Sequence, residues 1–223
     1  MKFWTKSDDA YPEILWNLSG PAIEQESFRR IEEEAPVRRG EGAEWRVARR
    51  VIHATADFSL LDQLVFRNDP IRHCLEALRA GAPIFCDSTM IKSGVSAAKL
   101  KLFNAAYSKE SIICHIADAD VAEMASAQGI TRALASVMKA EKILRGAIVL
   151  IGNAPLALAG VARLCLEKEI RPAVVVGMPV GFVNVVESKR LLAKTDLPSV
   201  VVEGRRGGSA MAVAAFHGML ESP

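Results

Sequence analysis

Cysteine is scarce in this chain of 223 residues, which has only Cys74, Cys86, Cys114 and Cys165. None of the four belongs to a CxxC pair or stands at a metal-ligand spacing, which argues against a zinc or redox motif of the usual kind. We interpret them as small buried hydrophobic side chains in a reducing compartment.

Long apolar runs and an excess of one charge are also lacking. No run of about 18 apolar residues occurs, so no transmembrane helix is expected. The opening MKFWTKSDDAYPE carries charges where a signal peptide needs an apolar core, so we expect a cytoplasmic protein. The 28 basic and 26 acidic residues give a net charge of +2, which argues against nucleic acid as the partner.

The common catalytic motifs are missing as well. We find no GxGxxG after a strand, no P-loop lysine, no GxSxG elbow and no HExxH. Their absence weakens dehydrogenase, kinase and hydrolase interpretations. His73, His115 and His217 show no metal spacing, so we interpret them as structural or solvated, and we predict neither a metal nor a cofactor.

Half of the residues are hydrophobic, enough for a sizeable core in a single domain over 1–223. We divide it into an N-terminal arm (1–18), a helical packing region (19–81) and an α/β core (82–223). In the helical region, Ser19 and Pro21 start a helix to about Glu34, a second helix spans about Ala43 to Thr55, and a third lies between Asp69 and Gly81.

From residue 83 onwards, short β-branched runs alternate with longer helical patterns. The predicted strands are 83–86, 112–116, 147–151, 173–177 and 199–203, and the predicted helices are 118–128, 131–145, 155–169, 183–195 and 208–221. Parallel strands need such crossover helices. We therefore predict a three-layer α/β/α fold with a mainly parallel, five-stranded sheet.

Four of these strands run directly into a polar turn with glycine or aspartate: DSTM, GNAP, GMPVGF and EGRRGGSA. The carboxyl ends of parallel strands share one edge of the sheet, where open α/β folds bind ligands. The candidate ligand contacts in the first three turns are Asp87, Met90, Gly152, Asn153 and Gly181. GNAP alone is equally well explained as a well-formed turn into a helix, and Glu187 and Lys189, after GMPVGF, are expected on an exposed face.

The turn GRRGGSA is the strongest of the four signals. It combines the guanidinium group of Arg205, the backbone amides of Gly207 and Gly208 and the hydroxyl of Ser209, a set that suits a carboxylate or a phosphate. Tight helix packing beside a solvated arginine pair is the alternative. Arg132, in the first turn of another helix, would be unfavourable to the helix dipole unless it met an anion, although a simple surface arginine explains it as well.

His53 is the best candidate for a catalytic group. It falls in the last turn of the second helix, on a stripe with Arg46, Arg49 and Arg50. The helix end favours the imidazolium form and the arginines disfavour it, so the ring is suited to deliver a proton near neutral pH. The alternative is that His53 only bonds the last carbonyls of its helix.

Seven segments in order resemble the precorrin-8X methylmutase family of cobalamin biosynthesis, over about Ser27 to Gly218. They are ESFRRI, RRVIHATADF, GAPIFCDSTMIKSGV, TRAL, IGNAPLAL, GMPVGFVNVVESK and GRRGGSAMAVAA. The resemblance implies migration of a methyl group from carbon 11 to carbon 12 of a polycarboxylate corrin ring, metal-free or carrying cobalt, without an external cofactor. It also implies that His53 protonates the ring and that Ser27 and Arg132 contact it.

The resemblance further implies a homodimer, to which exposed apolar residues of the arm, such as Phe3, Trp4 and Trp16, could contribute. The sequence departs from the family pattern at several positions. Ala56 stands where glycine is usual, Leu156 where threonine follows GNAP, and Asn184 and Val185 replace smaller residues, while His217 and Gly218 stand near a usual Asn-Ala or Asn-Ser pair. Two other functions stay open: a non-catalytic corrinoid carrier, and another anion-binding α/β isomerase.

Overall fold

The computed structural model describes residues 14–36 and 42–221, so Phe3 and Trp4 lie outside the described residues. The chain divides into two compact units, one up to Pro36 and one from Val37 onwards. In the first unit, α1 (Gly20–Glu34) begins where the Ser19 hydroxyl accepts the Ala22 N–H, with proline in the first turn. The predicted cap and helix are thereby confirmed.

The second unit contains six strands in the order β1-β6-β5-β4-β2-β3. They are β1 (Leu64–Arg67), β2 (Ile84–Cys86), β3 (Ile112–Ile113), β4 (Ile148–Ile151), β5 (Val174–Gly177) and β6 (Ser199–Val202). All neighbouring pairs are parallel except β1 with β6. The mainly parallel sheet is confirmed. The predicted count of five strands was wrong, because the antiparallel edge strand β1 was not predicted.

Nine α-helices of the second unit lie within the described residues. They are α2 (Ala43–Thr55), α3 (Pro70–Arg79), α4 (Thr89–Gly94), α5 (Ala97–Lys101), α6 (Ala119–Gln128), α7 (Arg132–Ala140), α8 (Pro155–Lys168), α9 (Val185–Leu192) and α10 (Ser209–Met219). The short helices α4 and α5 were not predicted. None of the helices in the described ranges is both long and apolar enough to cross a membrane.

Helices cover both faces of the sheet. Ile148 and Leu150 of β4 point into one core, together with residues of α2, α3 and α10, whereas Val149 and Ile151 point into a second core with α7, α8 and α9. This alternation follows from the two-residue period of a strand, and burial on both faces explains why the strands read as continuous apolar runs. The three-layer arrangement leaves the carboxyl edge of the parallel strands to be closed by turns.

Candidate active site

The first two polar turns are joined by the Asp87 carboxylate. It accepts backbone N–H groups from Gly152, Asn153 and Ala154, at 3.0, 2.9 and 2.6 Å. Asp87 thus caps α8 from a different strand end, and is itself buried. Burial raises the pKa of this carboxyl, while the three amide donors act in the opposite direction. In this structure, the Asp87 carboxylate holds the turn together.

The last two polar turns are joined by their backbones. Gly208 N–H donates to the carbonyl of Met178 at 2.8 Å, and Gly181 N–H donates to the carbonyl of Arg205 at 3.2 Å. Gly207 is required by this close approach, because a Cβ atom there would lie 2.2 Å from the Met178 oxygen. These contacts place the backbone amides of the two turns side by side.

Contacts with Ser209 complete the row of turns. Its hydroxyl lies 2.9 Å from that of Ser88, which links the first turn to the fourth. A Cβ atom at Gly152 would lie 2.7 Å from the Ser209 Cα atom, so the second and fourth turns also touch. The prediction that the four strand ends meet at one edge is confirmed.

Lys189 is buried and its side chain bonds the fourth turn. The expectation that it lies on an exposed face was therefore wrong. Its side chain is buried, and its Nζ donates to the carbonyls of Gly204 at 2.9 Å and Arg206 at 2.7 Å. Burial lowers the pKa of Lys189 to about 8. Glu187, by contrast, is exposed as expected. The apolar part of the lysine side chain lies along the helix surface while its ammonium group bonds the loop. The position of a lysine in the sequence does not reveal such an arrangement.

The two arginines of the fourth turn take different directions. Arg206 lies 2.5 Å from the Asp57 carboxylate and donates to the Ser59 hydroxyl at 2.6 Å, which ties the turn to the segment after α2. Arg205 lies over the ring of Phe182, 5.4 Å from its centroid. Phe182 is 85% exposed. The Arg205 guanidinium and the exposed Phe182 ring therefore lie together at the edge of the polar turns.

An open cavity of about 350 Å³ lies beside Ser209, between α2 and α10. The two helices approach closely at Gly218, where a Cβ atom would lie 2.6 Å from the Val47 Cα atom. The residues that line the cavity come from α2, α4 and α10: Arg50, His53, Ala54, Met90, Gly94, Ser209, Ala210, Val213, Ala214 and His217. Its wall is mostly apolar, with few polar groups, as is usual for a small-molecule site.

The cavity brings two histidines together, one from each helix. His53 is exposed in the last turn of α2, as predicted. His217 of α10 accepts the backbone N–H of Ser96 at its Nε2 atom, at 3.1 Å, and this contact fixes the orientation of its ring. Nearby, Arg50 pairs with Glu221, and Arg49 lies 3.5 Å from the same carboxylate. The positive charge of the arginines beside the cavity is therefore balanced in part.

Comparison with known proteins identifies the family. The family model of precorrin-8X methylmutase matches residues 22–222. The chain belongs to the precorrin-8X methylmutase family. A cobalt-precorrin-8 methylmutase of Leptospira interrogans is 40% identical over 209 residues, which cover 90% of this chain and 93% of the relative. A precorrin-8X methylmutase of a Sinorhizobium species is 37% identical, over 93% and 97% of the two chains.

A solved structure agrees with these sequence relationships. The precorrin-8X methylmutase from Thermus thermophilus superposes with a TM-score of 0.81 at 42% sequence identity, covering 91% of this chain and 95% of that one. The α/β fold that the alternating strand and helix patterns predicted is thereby confirmed, and with it the assignment of this chain to a family of isomerases.

The structure divides the predicted site residues into those that line the cavity, those in the polar turns beside it, and those in neither place. His53, Met90 and Ser209 line the cavity, and the turns beside it contain Asp87, Gly152, Asn153, Gly181, Arg205, Gly207 and Gly208. Arg132 is exposed at the start of α7 and is not among the residues that line the cavity. Ser27 belongs to α1, in the other compact unit. The roles of all the predicted site residues stay predictions, and those of Ser27 and Arg132 have no support from the cavity.

His217 is the functional candidate that the sequence did not disclose, since it was interpreted as structural. Its position eight residues after Ser209 on α10 was the available signal, because α10 begins at the strongest of the polar turns. Ala56, a departure from the methylmutase pattern, also has a structural meaning. It ends α2 with φ of 52°, in the left-handed region that glycine adopts without strain.

Proposed function

We propose that this protein catalyses the intramolecular migration of a methyl group from carbon 11 to carbon 12 of a corrin-type ring, with precorrin-8X or cobalt-precorrin-8 as substrate. The observation that carries the proposal is the position of His53 in the wall of a mostly apolar cavity, directly beside the converging polar turns. The relatives are named as methylmutases of precorrin-8X and of cobalt-precorrin-8, and the carbon positions follow from the family resemblance.

The cavity suits one part of a large flat ring. Met90, Val213 and Ala214 offer an apolar wall for the face of the macrocycle. Because the cavity is open, the ring can extend beyond it towards the turns. Burial of the ring face against these side chains would stabilise the complex by roughly 25 cal/mol for each Å² of apolar surface removed from water.

The carboxylate fringe of the ring needs donors at its periphery. The start of α10 presents the backbone amides of its first turn, where an anion is favoured, whereas the Gly208 amide is already bonded to the Met178 carbonyl. Arg205 is at the rim of the glycine-rich turn before this helix, and its contact with Phe182 combines a cation with an exposed aromatic surface. We assign these groups to the binding of ring carboxylates, together with Ser27 and Arg132, whose roles follow from the resemblance alone.

In the reaction itself, the methyl group stays within the substrate, so the protein needs no covalent bond to it. We assign to His53 the donation of one proton to the macrocycle, which alters the electron distribution of the ring as the methyl group moves. Holding one ring geometry and placing one proton are then the two contributions to the rate. His217, oriented by the Ser96 amide, forms the opposite wall and restricts how the ring lies against His53.

An absorption time course tests this proposal. The purified protein, the variant His53→Ala and the control His73→Ala are each mixed with precorrin-8X and, separately, with cobalt-precorrin-8. His73 lies on α3 and does not line the cavity, so its removal serves as a matched loss of imidazole. Because the methyl shift changes the conjugated system, product is detected directly by its spectrum.

We expect wild type and His73→Ala to convert one of the two substrates, and His53→Ala to bind it while turning it over at least about 100-fold more slowly, as is usual for loss of a general acid. Normal turnover by His53→Ala would refute the role of His53. Binding of both pigments by wild type without any spectral change would refute the isomerase assignment for this chain and favour a corrinoid carrier.

Assembly and location are further parts of the proposal. We propose a homodimer, as the resemblance implies, and a cytoplasmic location. Exposed apolar residues support self-association: Ile14, Leu15 and Trp16 are 46–52% exposed. Light scattering on the purified chain measures its mass in solution, and a monomer at micromolar concentration would contradict the dimer.

A further inference from the structure

Two cysteines occupy matched positions at the ends of β2 and β3. Ile84 pairs with Ile112 and Phe85 with Ile113, so the next residues in register are Cys86 and Cys114. Neighbouring strands are about 4.8 Å apart, which lies within the Cα separation that a disulfide spans. Both side chains pack against the same core, on the α10 side of the sheet, and they interact directly.

The two thiols lie in different surroundings. Cys86 is fully buried, and its sulfur lies 3.5 Å from the Ser88 carbonyl oxygen. Cys114 is half-buried, and its sulfur accepts the backbone N–H of Ile116. Among the charged groups nearby, Lys92 favours a thiolate at Cys114 and Asp87 opposes it.

These surroundings give the two thiols different pKa values. Hydrogen bonding from Cys86 lowers the pKa of Cys114 to about 7, and the same interaction, together with burial, raises the pKa of Cys86. The more accessible sulfur is therefore the nucleophile, and the buried sulfur stays protonated until a partner draws it into reaction.

The position of Cys114 also favours reaction. β3 is a two-residue edge strand, bonded to β2 on one side of the described sheet. This segment can therefore shift slightly towards β2 without breaking backbone hydrogen bonds to a strand on its other side. Cys74 and Cys165 differ in this respect, because both are buried and burial raises the pKa of each.

We propose that Cys114 and Cys86 form a thiol–disulfide exchange site for small dialkyl disulfides. The Cys114 thiolate attacks one sulfur of the small disulfide, which gives a mixed disulfide and releases one thiolate. Cys86 then passes its proton to a released small thiolate and attacks the Cys114 sulfur, so that a bond forms between the two cysteines and the second small thiolate leaves and takes a proton from water. The two cysteines are oxidised, and the small disulfide is reduced to two thiols.

Intact-protein mass spectrometry with oxidised glutathione as the probe tests this inference, which does not depend on the proposed reaction. Wild type is expected to end lighter by two hydrogen atoms, with a peptide linking Cys86 to Cys114 after digestion. Cys86→Ser is expected to stop at a single glutathionyl adduct on Cys114. Cys165→Ser is the matched control and is expected to react as wild type does.

A second measurement does not require the disulfide to close. At pH 7, alkylation of Cys114 by iodoacetamide is expected to be at least about fivefold faster than that of Cys165, since its larger thiolate fraction outweighs its lower nucleophilicity. Faster labelling of Cys165 would overturn the assignment of Cys114 as the reactive thiol. A lasting glutathionyl adduct in wild type, with no loss of hydrogen, would overturn the role of Cys86.

Discussion

Replacement of Gly207 by alanine tests whether the third and fourth turns are as tightly joined as the structure has them. The added Cβ atom would lie 2.2 Å from the Met178 oxygen and 2.5 Å from the Pro179 oxygen. Both neighbours are backbone atoms, so the turn itself must move. Such overpacking costs about 1–3 kcal/mol. The bond from Gly208 N–H to the Met178 carbonyl would weaken with it, at about 1 kcal/mol.

The expected loss for Gly207→Ala is therefore about 2–4 kcal/mol in the free energy of unfolding, or roughly 10 °C in Tm for a chain of this size. Urea denaturation and thermal melting measure these quantities. Corrinoid affinity should fall as well, because the amides of the same turn are displaced from the sheet edge.

Gly204→Ala is the matched control, three residues away in the same turn. Gly204 has φ of +74° and open space around the position of a Cβ atom, so alanine there meets backbone strain of about 1 kcal/mol and no clash. Gly207 has no positive φ, so its cost is steric. If the two variants lose equal stability, the close approach of the turns and the reasoning built on it are wrong.

Two further predictions concern pH and a helix end. Because burial lowers the pKa of Lys189 to about 8, the unfolded chain binds more protons than the folded one between about pH 8 and 10.5. The free energy of unfolding of wild type, measured relative to Lys189→Met, should then rise by about 1–3 kcal/mol across that window, and a flat difference in urea melts would contradict the buried ammonium. Ala56→Gly should raise stability by about 1 kcal/mol, since Ala56 has φ of 52°, and an unchanged or lower Tm would show that the left-handed residue is not strained.

The sequence predicted both ends of the second helix and the four polar turns at one edge of the sheet. These features could be predicted because they depend on local sequence. Apolar runs that are buried on both faces indicate parallel strands, and a proline after a capping residue marks a helix start. The edge strand β1 was missed because its apolar run is only three residues long, Leu64 to Phe66, and because all four strand residues are partly buried, which leaves no alternation. The helices α4 and α5 carry serine caps, Ser88 and Ser96, but each is too short to show a helical period.

The candidate site was harder to predict wherever a role depends on contacts between distant residues. Asp87 was predicted as a ligand contact, yet its carboxylate is engaged by amides 65–67 residues further along the chain. Lys189 and His217 were interpreted as exposed or structural, because the sequence does not reveal which carbonyl or which helix a long or aromatic side chain will meet. The position of His53 in the last turn of α2 was predicted correctly because it depends on local sequence, while its catalytic role stays a proposal.

The two ends of the sheet have a consequence for self-recognition. Strands with open edges can recruit strands of other chains and so seed aggregation, and very short edge strands limit this. Here one margin is the four-residue β1 and the other is the two-residue β3. Neither offers a long flat template, so copies of this protein that meet at high concentration have little opportunity to continue one another's sheet.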